Sequence, residues 1–288
     1  MADFLNAVLH HAFMRNALIT GLLASIACGV IGTYVVTRRI SYIAGGIAHC
    51  ILGGMGLAVY AQKVWGWSGV TALHGALASG LLAALIIGWV SLRAKQREDT
   101  VIGALWAIGM AVGVVCISRT PGYSQDLMSY LFGNILMVST SDLWLTAGLD
   151  LLIVACSVLF YNQFLALCFD EEFARVRGMN VELYYLLLLC LTALTVVLLS
   201  TVVGIVMVIA LLTLPVAVAG HFVHRLSHMM ALSAILSAVM TACGLAVSYG
   251  PDLPAGATII ILSGAVYLGV VAISHVRNVR RRARASRS

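Results

Sequence analysis

His49 is the residue that asks most of its surroundings. It stands in Arg38-Arg39-Ile40-Ser41-Tyr42-Ile43-Ala44-Gly45-Gly46-Ile47-Ala48-His49-Cys50-Ile51-Leu52-Gly53-Gly54-Met55-Gly56-Leu57-Ala58-Val59-Tyr60, where everything after the two arginines is apolar, small or histidine. About twenty such residues, wound as a helix, cross a hydrocarbon core of about 30 Å and leave the imidazole near its middle. A titratable ring there points to the passage of something small and polar. Gly45 and Gly53 lie one turn to either side of it, with Gly46 near the same face. That stripe predicts the close approach of another backbone. Asp150, inside a second apolar run, is an intramembrane acid that must face a cavity or a partner. It is read either as a transport residue or as a hydrogen-bonded packing residue. His74 is a third candidate metal contact, at the outer end of a span.

Weaker constellations surround these. His10-His11 has no third ligand nearby, and His221, His224 and His228 crowd a span end beside Arg225, as interfacial histidines do. Glu98 and Asp99 are read as caps of the span that follows them. The seven cysteines are scattered singly with no C-x-x-C spacing, which supports neither a disulfide framework nor a zinc knuckle. Cys50 follows His49, but helix neighbours point about 100° apart, so the two are not expected to grip one ion together.

The elements that must position these groups follow from composition. Of 288 residues, 61% are hydrophobic and 10% charged, and mean hydropathy is +1.02. That leaves too little polar surface for a soluble domain of this size. The fold class expected is an all-α polytopic membrane protein of about eight or nine transmembrane helices. The spans predicted are roughly 16–37, the His49 stretch, 70–92, 100–118 and 143–163, then one or two over 181–224 hinged near Ser200–Gly204, then 229–248 and 255–275. Pro215 is expected to kink or break its helix. Together they form one bundle over 14–276, with a basic tail over 277–288 that contacts anionic lipid, not nucleic acid. Arg15, Lys63 and Arg119 fall at one set of span ends, and the fourteen other basic residues fall at the opposite set. This asymmetry places the N-terminus outside and the C-terminus in the cytoplasm. The N-terminal dozen residues lack the form of a cleavable signal peptide.

One cytoplasmic segment is more than a loop. In Phe169-Asp170-Glu171-Glu172-Phe173-Ala174-Arg175-Val176-Arg177-Gly178, acids fill the first turn and arginines the last, matching a helix dipole. Asp170 can cap its start, Gly178 can end it, and Glu171 and Arg175 form an i,i+4 pair. Two turns of helix are marginal in water. Its apolar face of Phe169, Phe173 and Val176 therefore either docks into a groove on a cytoplasmic partner or lies flat on inner headgroups. The chain has two lysines, Lys63 and Lys95, and neither stands in a G-x-x-x-x-G-K-[ST] loop, so it carries no P-loop for ATP. It is expected not to be an enzyme. Transport would run downhill, by ion coupling, or on a separate subunit's ATP.

Several motifs then converge. Arg39-Ile40-Ser41-Tyr42-Ile43 through His49, Glu98-Asp99-Thr100-Val101-Ile102-Gly103, and Pro121-Gly122-Tyr123 with Asp126 through Leu136 resemble the integral-membrane permeases of bacterial zinc/manganese/iron ABC importers. So do Phe169 through Ala174, Val203-Gly204-Ile205 through Pro215, and Asp252-Leu253-Pro254-Ala255-Gly256-Ala257. The resemblance runs from about Arg15 to Tyr267. It implies a bacterial plasma-membrane permease that works with a second copy of itself, a cytoplasmic ATP-binding-cassette ATPase and an extracytoplasmic metal-binding protein. The chain itself would hold no cofactor, its cargo being a divalent zinc, manganese or iron ion. Asp170–Gly178 resembles the family's coupling helix, and His49 a metal-handling residue of its path. One departure stands out: the family usually carries an Asp one turn before that histidine, and here the residue is Gly45. A weaker waystation, a carboxylate from elsewhere, or a different cargo would each be a consequence. The competing classes are a stand-alone ion-coupled carrier or channel for a small solute, and a non-transporting scaffold.

Overall fold

A backbone in hydrocarbon must satisfy its own hydrogen bonds, and these long apolar runs do so as helices. The structure, a computed structural model, describes residues 8–93, 98–121, 133, 135, 138–251 and 253–285. The helices are α1 (Ala12–Thr37), α2 (Ser41–Val64), α3 (Ala72–Arg93), α4 (Glu98–Ser118), α5 (Thr140–Leu159), α6 (Tyr161–Phe169), α7 (Glu171–Val176), α8 (Val181–Val202), α9 (Ile205–Gly220), α10 (Leu226–Tyr249) and α11 (Ala255–Ala285). Eight of them are long and apolar enough to cross a membrane, and no strand occurs among the described residues. The ninth apolar helix, α9, has 16 residues and so a length of about 24 Å. Most of its side chains are buried, packed by α1, α8, α10 and α11, so it does not have to span lipid alone.

The predicted spans correspond to these helices with local differences. The span expected over 143–163 is interrupted at Phe160, whose backbone leaves the helical region, and the chain resumes as α6. The expected hinge near Ser200–Gly204 is the break between α8 and α9, where Gly204 adopts φ 93°, a conformation that disfavours side chains. Pro215 does not end its helix, which runs on to Gly220. Gly122 through Phe132, together with Asn134 and Leu136, Lys95 and Arg97, Asp252, and most side chains of the basic tail lie outside the described residues.

Two features of the bundle position the residues singled out above. First, α2 is the most enclosed span, with 83% of its apolar window buried, whereas α4 and α11 are at 17%. Second, α1 turns into α2 through three residues. Arg39 N–H donates to Val36 O (3.1 Å) and Ile40 N–H to Val35 O (2.9 Å), the paired bonds of a Schellman turn. Arg39 takes the left-handed place at φ 63° that glycine normally fills, and Ile40 and Val35 are both buried. The turn is short and closed at both ends.

Candidate functional site

Small residues let α2 lie close against its neighbours. A Cβ on Gly53 would be 2.6 Å from the Gly109 carbonyl oxygen of α4, and one on Gly54 would be 2.2 Å from that of Gly75 in α3. Gly46 is equally tight against Ile102. Gly45 departs from the predicted stripe: a Cβ there would meet nothing within 4 Å among the described residues. Space therefore opens one helical turn before His49.

His49 is 9% exposed, and its ring stacks on Trp106 of α4 at 4.2 Å between centroids and 7° between planes. The indole is held in turn, its Nε1 donating to Met110 Sδ at 3.2 Å. Among the described residues His49 Nδ1 is buried with no hydrogen-bond partner. An imidazole on an indole face is favoured when it carries positive charge, from a proton or a metal. One orphaned ring nitrogen supplies one donor atom to a cation. Cys50 points elsewhere, its thiol donating to Leu105 O at 3.2 Å and lining a groove with Gly53, Gly54 and Ser79. The sequence pattern does not reveal Trp106, because a lone tryptophan in an apolar span carries no spacing that ties it to a histidine 57 residues away.

The other predicted metal candidates are not brought to this point. Asp150 is 4% exposed with both carboxyl oxygens unpartnered. It lies on α5, which packs chiefly on α1 and α8, whereas α2 packs on α4 and α3. Its electrostatic neighbour is the Cys28 thiol of α1. The hydrogen-bonded packing partner expected of Asp150 is absent among the described residues. His74 is exposed at the start of α3, where its Nδ1 is taken up by the Thr71 hydroxyl (2.7 Å) and backbone N–H. His221, His224 and His228 are exposed. Among the described residues no three His, Cys, Asp or Glu side chains gather around one point.

The second region is the segment after Phe169. Asp170 Oδ1 accepts from Phe173 N–H (2.9 Å) and caps α7, while Gly178 ends the segment at φ 79°. Glu171 pairs with Arg175 at 3.1 Å and with Arg38 at the end of α1. Burial alone would raise the Glu171 carboxyl, but the hydrogen bonds and charges of Arg38 and Arg175 hold it below the ordinary glutamate range. Ala174 is buried against the bundle, whereas Phe169, Phe173 and Val176 are exposed, Val176 by 87%. Arg177 lies over the Phe173 ring at 4.6 Å.

Residues 10–274 match the ABC 3 transport family. The chain belongs to that family. It is a metal-type ABC permease by kinship and by fold. It is 44% identical over 268 residues to a membrane protein of a Synechocystis species, with 93% of each chain covered. It is 35% identical over 265 residues to the manganese transport system membrane protein MntC of Halalkalibacterium halodurans, covering 92% of this permease and 88% of that protein. Among solved structures it resembles a chain of PsaBC from Streptococcus pneumoniae in complex with Fab. There the TM-score is 0.83 at 31% identity, over 93% of this permease and 94% of that chain.

Proposed function

We propose that this permease is the translocating subunit of an ATP-driven importer for a divalent transition metal, with manganese first among zinc, manganese and iron because relatives bear that name. The observation that carries the reading is α7. A capped helix of six residues is too short to persist alone, yet it turns Phe173 and Val176 outward. Such a helix fits a groove on another protein. In this reading the groove belongs to a cytoplasmic ATPase, and Phe169, Asp170, Glu171, Glu172, Phe173, Ala174, Arg175 and Gly178 form the coupling element.

The metal path runs past His49, between two copies of the chain. Support comes from α4, which among the described residues packs chiefly on α2 and α3 while Ile108 and Val115 face outward. A second copy there would bring a second His49 toward the same axis. An extracytoplasmic metal-binding protein delivers the ion, and imidazole and backbone carbonyls lower the cost of its dehydration. The basic residues then lie on the cytoplasmic side of a bacterial plasma membrane, with the N-terminus outside.

Reconstitution tests the reading. Vesicles holding the permease with its ATPase and binding protein accumulate manganese only when ATP is supplied. A permease that concentrates its solute unaided would overturn the proposal in favour of an ion-coupled carrier.

A further inference from the structure

Arg38, at the end of α1, ties together three further elements, α6, α7 and α8. Its Nη1 donates to Leu167 O at 2.8 Å, one of the last carbonyls of α6, where a cation also complements the helix dipole. Its Nη2 pairs with Glu171, the first residue of α7. Its guanidinium carbon lies 5.6 Å from the ring centre of Tyr185 in α8, and the Tyr185 hydroxyl is 3.2 Å from Ser91 Oγ in α3. The planar fork of arginine suits two acceptors at once, which a lysine ammonium on a flexible stem does not. The side chains of the Arg38–Glu171 pair are 23% and 31% exposed, so water screens them only partly.

The backbone of Arg38 faces the other way. It is the C-cap of α1, and the closed turn through Arg39 and Ile40 delivers the chain into α2 at Ser41. His49 follows eight residues into that helix, about 12 Å along its axis. The segment α7 packs directly on α6 and α8. Among the described residues its one ion pair outside itself runs to Arg38. Beside the packing route through α8, a displacement of α7 thus reaches the turn into α2 by way of the Arg38 guanidinium, and the Schellman turn leaves little slack to absorb it.

We propose that Arg38 is a positioning residue through which α7 sets the placement of α2 and His49, converting movement of the coupling element into movement of the metal path. The inference rests on the reading of α7 as the ATPase-docking element. Arg38 touches neither cargo nor nucleotide, so its removal spares assembly and ATP hydrolysis and separates them from transport.

The test uses the reconstituted complex of permease and ATPase and measures metal taken up per ATP hydrolysed. Arg38→Ala co-purifies with the ATPase and hydrolyses ATP, but the ratio falls about tenfold, the scale set by a part-buried charge-assisted hydrogen bond. Glu171→Gln, which stands in the docking element itself, is compared only by the same ratio per ATP hydrolysed, which also falls. The double variant loses less than the product of the two single losses, because the two changes share the Arg38–Glu171 link. Arg38→Lys keeps the charge without the fork and recovers only part of the ratio. A wild-type ratio in Arg38→Ala, or losses that multiply in the double variant, overturns the proposal. If Arg38→Ala fails to accumulate, Glu171→Gln decides, since it leaves the Arg38–Leu167 bond intact: an unchanged ratio there overturns it equally. Failure of the underlying reading looks different, because the wild-type permease would then neither bind an ATPase nor need ATP.

Discussion

The two ends of the α1–α2 unit are built on opposite principles. At Arg38 a carbonyl, a carboxylate and an aromatic face converge on one guanidinium. At His49 a ring nitrogen is left unpartnered, the ring rests on a single indole, and the adjacent turn opens onto space at Gly45. A buried polar group without a partner costs free energy and persists where something else uses it. A junction held by three partners at once is the kind that the proposed transmission of displacement requires. The contrast teaches that one helix pair can carry a multiply partnered junction at one end and an under-coordinated ring further along; in the proposed reading the first transmits movement and cargo completes the second.

The contrast can be broken at several points. The largest effect is expected for Phe173→Asp, which places a charge in the face offered to the ATPase. Co-purification and ATP-dependent uptake should both disappear, while the permease still inserts and folds because Phe173 is exposed. Retained co-purification would remove α7 from the interface. Next comes His49→Ala, expected to cut uptake about a hundredfold with ATPase association unchanged, the range seen when a metal's surroundings lose a supporting group. Full uptake in cells complemented with His49→Ala would refute the path assignment even with the family membership intact.

Gly45→Asp sharpens the comparison by filling the open turn. Because a Cβ at Gly45 meets nothing, the carboxylate should be accommodated without displacing α4, unlike a substitution at Gly53. Carboxylate ligands suit manganese better than a lone imidazole does. A several-fold rise in manganese over zinc uptake is expected, and competition between the two ions measures it. An unchanged preference would place the selecting groups elsewhere.

The smallest effect concerns acid. The Glu171 carboxyl is held below its ordinary value of 4.5 in the folded chain. Its contribution to stability is therefore complete above that value and is lost as pH falls through the lower, folded one. The difference in thermal midpoint between wild type and Glu171→Gln should be constant from pH 8 to 6 and shrink only below about pH 4.5. A difference that fades near neutrality would mean that Arg38 and Arg175 do not hold the carboxylate.

Much of this architecture was legible in the residues. Uninterrupted apolar runs mark the spans because lipid offers the backbone no other hydrogen-bond partners. Asp170, the Glu171–Arg175 pair and Gly178 mark α7 because capping is local chemistry, and all three act in the structure as their types require. The glycine stripe was legible only in part. Gly45 and Gly53 are the same residue type at equal distance from His49, yet one opens onto space and the other presses on Gly109. Nothing in their spacing separates them, since the difference lies in where α4 crosses.

The sequence by itself thus determined the helical spans, the hinge at Gly204 and the caps of α7, because each depends on neighbours within about four residues. Tertiary structure alone decided that His49 meets Trp106, that Asp150 stands apart from both, and that Arg38 reaches Glu171 across 133 positions. Those partners are chosen by how whole helices pack, and packing is a property of surfaces that no local pattern encodes.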